Sequence, residues 1–324
     1  MNIILNALLL IACFAVLVKG ADILVDGASD IAKALKIPSV IIGLTIVAFG
    51  TSAPEAGVSI TSTLRGLDRL SISNVVGSNI FNLLMVVGLS AAVRGFVVDE
   101  EIRKRDYPLC IFFSALLIFF ARDLNISRVE GIILFACIIG YVVMLIAFAM
   151  RTSSINREED KKEDKISKKK VMISLLKVII SVLAIYLSSR GIVWSCSFFA
   201  KLIGVSETII GLTIVALGTS LPELATSVVA ANKGESGIAL GNVVGSNIFN
   251  ILFVLGISGS ISPIAGLTRY NLIDTVVCLG ITLFCGIFVF ISKKFKRPVG
   301  IIMLLMYVVY LAFIVLREIG IIVF

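Results

Sequence analysis

The sequence has no histidine, a single tryptophan and few charges, which make up 15% of its 324 residues. Its six cysteines lie singly in or beside apolar runs, without the C-x-x-C spacing of metal or redox sites. The motifs H-E-x-x-H and G-x-S-x-G and the P-loop are also missing from the sequence. These absences argue against an enzyme and against zinc, haem or iron–sulfur groups, and we expect no cofactor.

Apolar residues dominate what is there. They account for 58% of the chain, and the mean hydropathy is +1.08. Since a membrane core about 30 Å thick needs roughly 20 apolar residues per helix, this length allows about ten crossings and no separate soluble domain. A backbone in lipid must satisfy its own hydrogen bonds, which predicts helices. The predicted fold class is an all-α polytopic membrane protein with ten spans near 3–25, 38–63, 72–93, 107–121, 129–150, 171–189, 206–231, 237–260, 272–292 and 299–317.

One long polar insertion, residues 151–170, interrupts the apolar pattern. It divides the chain into a first unit of five spans, residues 1–150, and a second unit of five, residues 171–324. With the N-terminus outside, nineteen Lys and Arg residues fall in the cytoplasmic loops and eight in the loops and chain end opposite. We therefore predict a multi-pass protein of the cell membrane with both termini outside and the linker in the cytoplasm.

The two units repeat each other. Residues 41–55 and 209–223 agree at thirteen of fifteen positions, and residues 74–82 and 242–250 are identical. Both matches have the same offset of 168 residues. Because each unit has an odd number of predicted spans, the copies enter the membrane in opposite senses. This predicts two inverted five-helix repeats, which many secondary transporters use to place one site between the halves.

Each repeat carries one glutamate inside an apolar span, Glu55 or Glu223. A carboxylate at this depth is costly unless it meets a partner or a water-filled cavity, and no Lys or Arg lies in either span. The inverted repeat allows the two glutamates to face each other. A bound cation would remove both their mutual repulsion and the cost of desolvation.

A helix breaker precedes each glutamate. Gly50 and Pro54 flank the first break, and Gly218 and Pro222 flank the second. Proline has no N–H and clashes with the carbonyl four residues earlier, so backbone oxygen is freed near the two glycines. Unwound carbonyls at membrane depth are cation ligands where they line a cavity.

The second motif adds a polar stripe to an otherwise apolar helix, because its polar residues are spaced by four. The stripe consists of Asn74, Ser78 and Asn82 in one repeat and of Asn242, Ser246 and Asn250 in the other. Position beside the glutamates favours a site role for Ser78, Asn82, Ser246 and Asn250. For Asn74, Asn79, Asn242 and Asn247, hydrogen bonding between packed helices is an equal alternative. Carboxylate, hydroxyl, amide and backbone oxygens suit hard cations such as Ca²⁺ and Na⁺.

The paired segments G-T-S-x-P-E and G-S-N-I-F-N resemble the two α-repeats of the cation/Ca²⁺ exchanger superfamily, and within it the prokaryotic sodium/calcium exchangers. In number and order of spans the resemblance covers nearly the whole chain. It implies alternating access, with Na⁺ and Ca²⁺ competing for four adjoining sites, commonly three Na⁺ for one Ca²⁺. The implied Ca²⁺ ligands are Glu55, Glu223 and the carbonyls of Thr51 and Thr219. Ala48, Ala216, Ser52, Ser220, Ser78 and Ser246 are implied to help hold Na⁺.

The chain departs from this pattern at Asn250, where many relatives carry an aspartate. Its site has two acidic groups rather than three, so the Na⁺ stoichiometry and any K⁺ or H⁺ participation stay open. We predict a monomeric Na⁺/Ca²⁺ antiporter whose partners are these two ions and the lipid bilayer, with no nucleic acid. The alternatives are a Ca²⁺/H⁺ or K⁺-dependent antiporter and, third, a passive cation channel.

Overall fold

The computed structural model describes residues 3–159, 168–204 and 216–318, together with 214 and 321. Its helices are α1 (Ile3–Leu35), α2 (Ser39–Thr51), α3 (Ala53–Leu64), α4 (Asp68–Val93), α5 (Tyr107–Ala121), α6 (Arg128–Glu159), α7 (Lys168–Leu202), α8 (Ala216–Gly218), α9 (Leu221–Lys233), α10 (Ser236–Ile261), α11 (Arg269–Ser292) and α12 (Arg297–Glu318). A π-helical turn, Ile102–Asp106, leads into α5. Two short strands, β1 (Phe96–Val97) and β2 (Lys294–Phe295), pair antiparallel.

Seven helices in the described part of the chain are long and apolar enough to cross a membrane, namely α1, α4, α6, α7, α10, α11 and α12. The pair α2 and α3 passes the same test as one span bent by 46°. The protein is therefore a mostly helical, multi-pass membrane protein, as the composition predicts. The predicted span 107–121 coincides with α5, whereas part of the predicted span 206–231 lies outside the described residues.

Several helices extend beyond the predicted ends of their spans. Helix α1 continues to Leu35 rather than residue 25, and α7 runs to Leu202 rather than residue 189. Helix α6 continues through Glu159 into the predicted linker. Apolar runs mark only the part of a helix in contact with hydrocarbon, whereas Lys, Arg and Glu are themselves good helix formers. The boundaries predicted from hydropathy were therefore too short at these ends.

Helices α4 and α10 form the centre of the molecule. Nearly every residue of α10 is buried, whereas α1, α6, α7 and α12 expose many leucines and isoleucines, as expected of helices that face lipid. Small residues allow this close packing. A Cβ added at Gly245 would lie 2.9 Å from the Leu44 Cα, and one added at Gly88 would lie 3.1 Å from the Gly300 carbonyl. The central pair thus carries the polar stripes into the interior.

Helices α1 and α7 pack against each other in antiparallel directions. Gly20 of α1 lies against Ile185, and Gly27 lies against Ser174 and Val178. The same pair of long helices reaches the broken spans, since α1 contacts α9 and α7 contacts α8 and α9. This arrangement places a two-helix layer beside the core that holds the two motifs.

Candidate ion-binding site

Each glutamate lies in the first turn of a helix that begins just after a break. Helix α2 ends at Thr51 and α3 begins at Ala53, with Ser52 between them at φ −81° and ψ 2°. Pro54 brings no N–H to the carbonyl of Gly50, so the helical ladder is interrupted there. Glu55 follows at the start of α3, where the exposed N–H groups favour negative charge.

The second repeat builds the same break. Ser220 precedes α9 with φ −91° and ψ 4°, and Pro222 lies in the first turn. Glu223 therefore stands in α9 as Glu55 stands in α3. Identical local sequence produces identical local structure in the two halves.

Both glutamates are fully buried, with 0% of their surface exposed. Among the described residues neither carboxylate forms an ion pair; each is held by two serine hydroxyls. The Glu55 Oε1 accepts hydrogen bonds from Ser78 Oγ at 3.2 Å and from Ser220 Oγ at 3.0 Å. The Glu223 Oε1 accepts from Ser52 Oγ at 3.2 Å and from Ser246 Oγ at 3.4 Å. Each carboxylate thus receives one hydroxyl from its own repeat and one from the other.

Two asparagines support the backbone that carries the glutamates. Asn74 Nδ2 donates to the main-chain oxygen of Glu55 at 3.3 Å, and Asn242 Nδ2 donates to that of Glu223 at 3.5 Å. The hydroxyl of Thr51 lies 3.0 Å from Asn242 Oδ1 and 3.1 Å from the carbonyl of Val47. The Thr51 side chain is therefore engaged within the protein, which leaves its backbone carbonyl as its contribution to a site.

Four further asparagines cross-link α4 and α10, and we call them the asparagine quartet: Asn79, Asn82, Asn247 and Asn250. Asn79 Nδ2 donates to the Asn247 carbonyl and Asn247 Nδ2 donates to the Asn79 carbonyl, each at 3.3 Å. Asn82 Nδ2 donates to Asn247 Oδ1 at 3.1 Å, and Asn250 Nδ2 donates to Asn79 Oδ1 at 3.0 Å. The quartet joins the two repeats about their pseudo-two-fold axis.

The backbone changes its winding at this level. A π-helical turn begins at Asn82 and runs to Val86, and another begins at Asn250 and runs to Leu255. Such turns are rare and frequently occur at functional sites, because they free backbone groups and redirect side chains. Nothing in the composition of these segments predicts them.

Four oxygens in this region are buried without a hydrogen-bond partner in the described part of the chain. They are Glu55 Oε2, Glu223 Oε2, Asn82 Oδ1 and Asn250 Oδ1. Buried acceptors are normally satisfied, and leaving one unpaired costs about 1–3 kcal/mol, or more for a charged group. Two carboxylate and two amide oxygens, with no nitrogen or sulfur ligand, form a donor set for hard cations.

The structure brings most of the predicted site residues into this network. Ser52, Ser78, Ser220 and Ser246 reach the carboxylates, and Asn82 and Asn250 belong to the quartet. Ala48 is buried and faces Gly245, whereas Ala216 lies in α8 and Thr219 follows between α8 and α9. Asn74, Asn79, Asn242 and Asn247, for which helix contacts were an equal alternative, join the same network. Their recurrence at the common offset was the signal in the sequence.

Comparison with known proteins agrees with this geometry. A family model described as "Sodium/calcium exchanger protein" matches residues 5–147 and 173–316. The chain belongs to this family. Family membership makes it a transporter rather than an enzyme, as the missing catalytic motifs predict. The gap between the two matched blocks includes the polar insertion at residues 151–170.

Relatives and solved structures match over most of the chain. The sodium/calcium exchanger MaX1 of Methanosarcina acetivorans is 34% identical over 346 residues, covering 95% of this chain and 98% of that protein. Inner membrane protein YrbG of Escherichia coli is 33% identical over 265 residues, covering 80% and 81%. The sodium-calcium exchanger NCX_Mj, in a structure soaked with 10 mM Na⁺ and zero Ca²⁺, superposes with a TM-score of 0.83 at 27% identity, covering 96% and 99%.

Proposed function

We propose that the chain exchanges Na⁺ for Ca²⁺ across the cell membrane by alternating access. The observation that carries this proposal is the group of four unpaired buried oxygens between the repeats. Two of them belong to carboxylates that have no ion pair in the described residues, so a cation is the partner that would offset the cost of burying them. Similarity to exchangers named for sodium and calcium supports these two ions.

The proposed Ca²⁺ ligands are Glu55 and Glu223 together with the backbone carbonyls of Thr51 and Thr219. Ca²⁺ takes about six to eight oxygens, a number within reach of two bidentate carboxylates, two carbonyls and the amide oxygens. The proposed Na⁺ ligands are the hydroxyls and carbonyls around the same carboxylates, from Ala48, Ser52, Ser78, Ala216, Ser220 and Ser246, with Asn82 and Asn250 between the halves. Competition for shared carboxylates couples the two ions.

The proposed architecture is ten spans in two inverted repeats, residues 1–150 and 171–324, joined by a cytoplasmic linker at 151–170. It is supported by the structural match to NCX_Mj and by the repeated hydrogen bonds at Glu55 and Glu223. The distribution of Lys and Arg supports termini on the outside. In this arrangement the two halves rock about a shared site, and a monomer contains the complete machinery.

Uptake of ⁴⁵Ca²⁺ into proteoliposomes loaded with Na⁺ tests the proposal. The outside solution contains Na⁺, K⁺ or choline, at two pH values, with the membrane potential set by valinomycin. We expect uptake that requires internal Na⁺ and is suppressed by equal Na⁺ outside. A response to the imposed potential measures the charge moved per cycle.

The other outcomes separate the alternatives. Uptake that ignores Na⁺ and follows a pH gradient identifies Ca²⁺/H⁺ exchange, and a requirement for K⁺ together with Na⁺ identifies a K⁺-dependent exchanger. Ca²⁺ movement only down its own gradient identifies a channel. Protein-free liposomes and liposomes containing the Glu55→Gln variant provide the background. Any of these three results in the wild-type protein contradicts Na⁺/Ca²⁺ exchange as proposed.

A further inference from the structure

The quartet contains two kinds of asparagine. Asn82 and Asn250 each leave a buried amide oxygen unpaired, whereas the side-chain oxygens of Asn79 and Asn247 each accept a hydrogen bond. The donors of those two bonds are the amide nitrogens of Asn82 and Asn250 themselves. One pair therefore holds the nitrogen end of the other pair.

We propose that Asn79 and Asn247 are positioning residues, which hold the amides of Asn250 and Asn82 so that oxygen rather than nitrogen is presented to the transported ions. This inference rests on the proposed function of the site. It gives Asn79 and Asn247 a role in ion affinity that does not require contact with an ion.

The physical reason lies in the symmetry of an amide side chain. Oxygen and nitrogen occupy nearly equivalent positions, so a half-turn about the last side-chain bond exchanges a cation ligand for two positive N–H groups. In a buried site the wrong orientation is costly, because an N–H facing a cation is repelled. A fixed acceptor on the opposite side removes that alternative.

The positions of Asn79 and Asn247 are themselves fixed from the other half of the protein. Their amide nitrogens donate to each other's backbone carbonyls at 3.3 Å, so neither side chain can rotate without breaking a buried bond. With their nitrogens committed, their oxygens remain as acceptors. Each chain of bonds thus runs from a main-chain carbonyl, through a holding asparagine, to a ligand asparagine.

The two chains differ in one contact. Asn250 Nδ2 also donates to Ser78 Oγ at 3.1 Å, and Ser78 in turn donates to Glu55. The structure gives Asn82 a single acceptor, Asn247 Oδ1. Asn82 consequently depends on Asn247 more than Asn250 depends on Asn79.

The test compares alanine substitutions in two backgrounds. Asn247→Ala is made alone and together with Asn82→Asp, and Asn79→Ala is made alone and together with Asn250→Asp. A carboxylate presents oxygen in either orientation, so it needs no positioning. We expect Asn247→Ala alone to raise the half-saturating Ca²⁺ concentration about tenfold or more, with the maximum rate retained, because groups that orient metal ligands typically contribute 10–100-fold to affinity. Asn79→Ala has a smaller effect.

In the aspartate backgrounds the same alanine substitutions are expected to change half-saturation by less than about twofold, the limit within which independent effects add. Thermal unfolding in detergent, with and without Ca²⁺, provides the second readout. A positioning role reduces the stabilisation that Ca²⁺ confers. A purely structural role lowers the ion-free unfolding temperature and leaves Ca²⁺ half-saturation unchanged.

Ser90→Ala is the matched control, because Ser90 is a buried polar residue of α4 whose hydroxyl has no hydrogen-bond partner in the described residues. If the wild type transports and binds Ca²⁺ but Asn247→Ala does not alter half-saturation, the positioning role fails while the proposed function stands. If the wild type binds Ca²⁺ without Na⁺-driven transport, the proposed function fails, and the binding series in detergent still decides the positioning role. A wild type that neither binds nor transports Ca²⁺ overturns both.

Discussion

The two halves of the protein agree at the ion site and differ at its edge. At the centre, Glu55 and Glu223 each accept two serine hydroxyls, one from each half. At the edge, the turn from α9 to α10 is tied to α1, whereas the chain has no equivalent tie available for the turn from α3 to α4. Shared motifs therefore fix the chemistry of binding and leave the surrounding contacts free to diverge.

The tie consists of Lys233 and two aspartates of α1. Lys233 Nζ lies 2.5 Å from Asp22 and 2.7 Å from Asp26, and Ser29 of the same helix donates to Glu235 at 2.7 Å. Helix α1 is thus joined to the end of the span that carries Glu223.

The repeat-related positions carry the opposite chemistry. Arg65 replaces Lys233, Arg190 replaces Asp22 and Trp194 replaces Asp26, all at the offset of 168 residues. Two arginines repel where a lysine and an aspartate attract, so the same tie cannot form on the other side of the site. In an exchanger whose halves trade places, such a difference makes the two open states unequal in free energy.

The largest expected effect tests the symmetric part of this comparison. Glu55→Gln and Glu223→Gln each remove one of two anionic ligands, so Ca²⁺ affinity should fall by about a hundredfold or more in both variants. Calorimetric titration of purified protein with Ca²⁺ measures the loss, and ⁴⁵Ca²⁺ uptake measures its consequence for transport. Glu100→Gln serves as a control, since Glu100 is exposed and pairs with Lys104 at 2.6 Å. Retained Ca²⁺ affinity in either glutamine variant would show that the site is misplaced.

A smaller effect distinguishes Asn82 from Asn250. Asn82→Asp and Asn250→Asp both add a third carboxylate, and we expect each to lower the half-saturating Na⁺ concentration by about tenfold or less, since Coulomb attraction is partly offset by desolvation. Asn250→Asp loses two donated bonds and Asn82→Asp loses one. The unfolding temperature should therefore be lower for Asn250→Asp. Equal unfolding temperatures would show that the contact with Ser78 does not stabilise the site.

The repeated elements are what the sequence could predict. Identical segments at one offset had to fold alike, which placed Glu55 with Glu223 and assigned oxygen ligands to a hard cation. The cross-half pairing of Ser220 with Glu55 was not predictable, because it spans 165 positions and depends on how the broken helices pack. The quartet was equally hidden, since a buried asparagine bonds to a neighbouring helix far more often than it orients a ligand.

The predicted role of Asp22 and Asp26 was wrong by omission. The repeat comparison showed that they lack acidic counterparts, and this left them as residues of an interface or of cavity water. Their partner, Lys233, is 211 positions from Asp22 and lies in a turn rather than in a motif. Ion pairs between long, partly exposed side chains depend on the angle at which helices meet, which hydropathy does not record.

The smallest expected effect tests the edge of the comparison. Lys233→Met removes the tie while keeping a long side chain, and Arg65→Met makes the same change at the equivalent position of the other half. Because Lys233 and Asp22 are partly exposed, with 27% and 32% of their side-chain surface accessible, we expect only a two- to fivefold change, corresponding to about 0.2–1 kcal/mol. Half-saturating Ca²⁺ measured separately in right-side-out and inside-out vesicles should shift in opposite directions for Lys233→Met, since a loosened α1 favours one open state at the expense of the other. Raising the ionic strength should reduce the difference between wild type and Lys233→Met. Arg65→Met should leave both values near those of the wild type; an equal shift in that variant would mean that the two edges, despite their different charges, contribute alike.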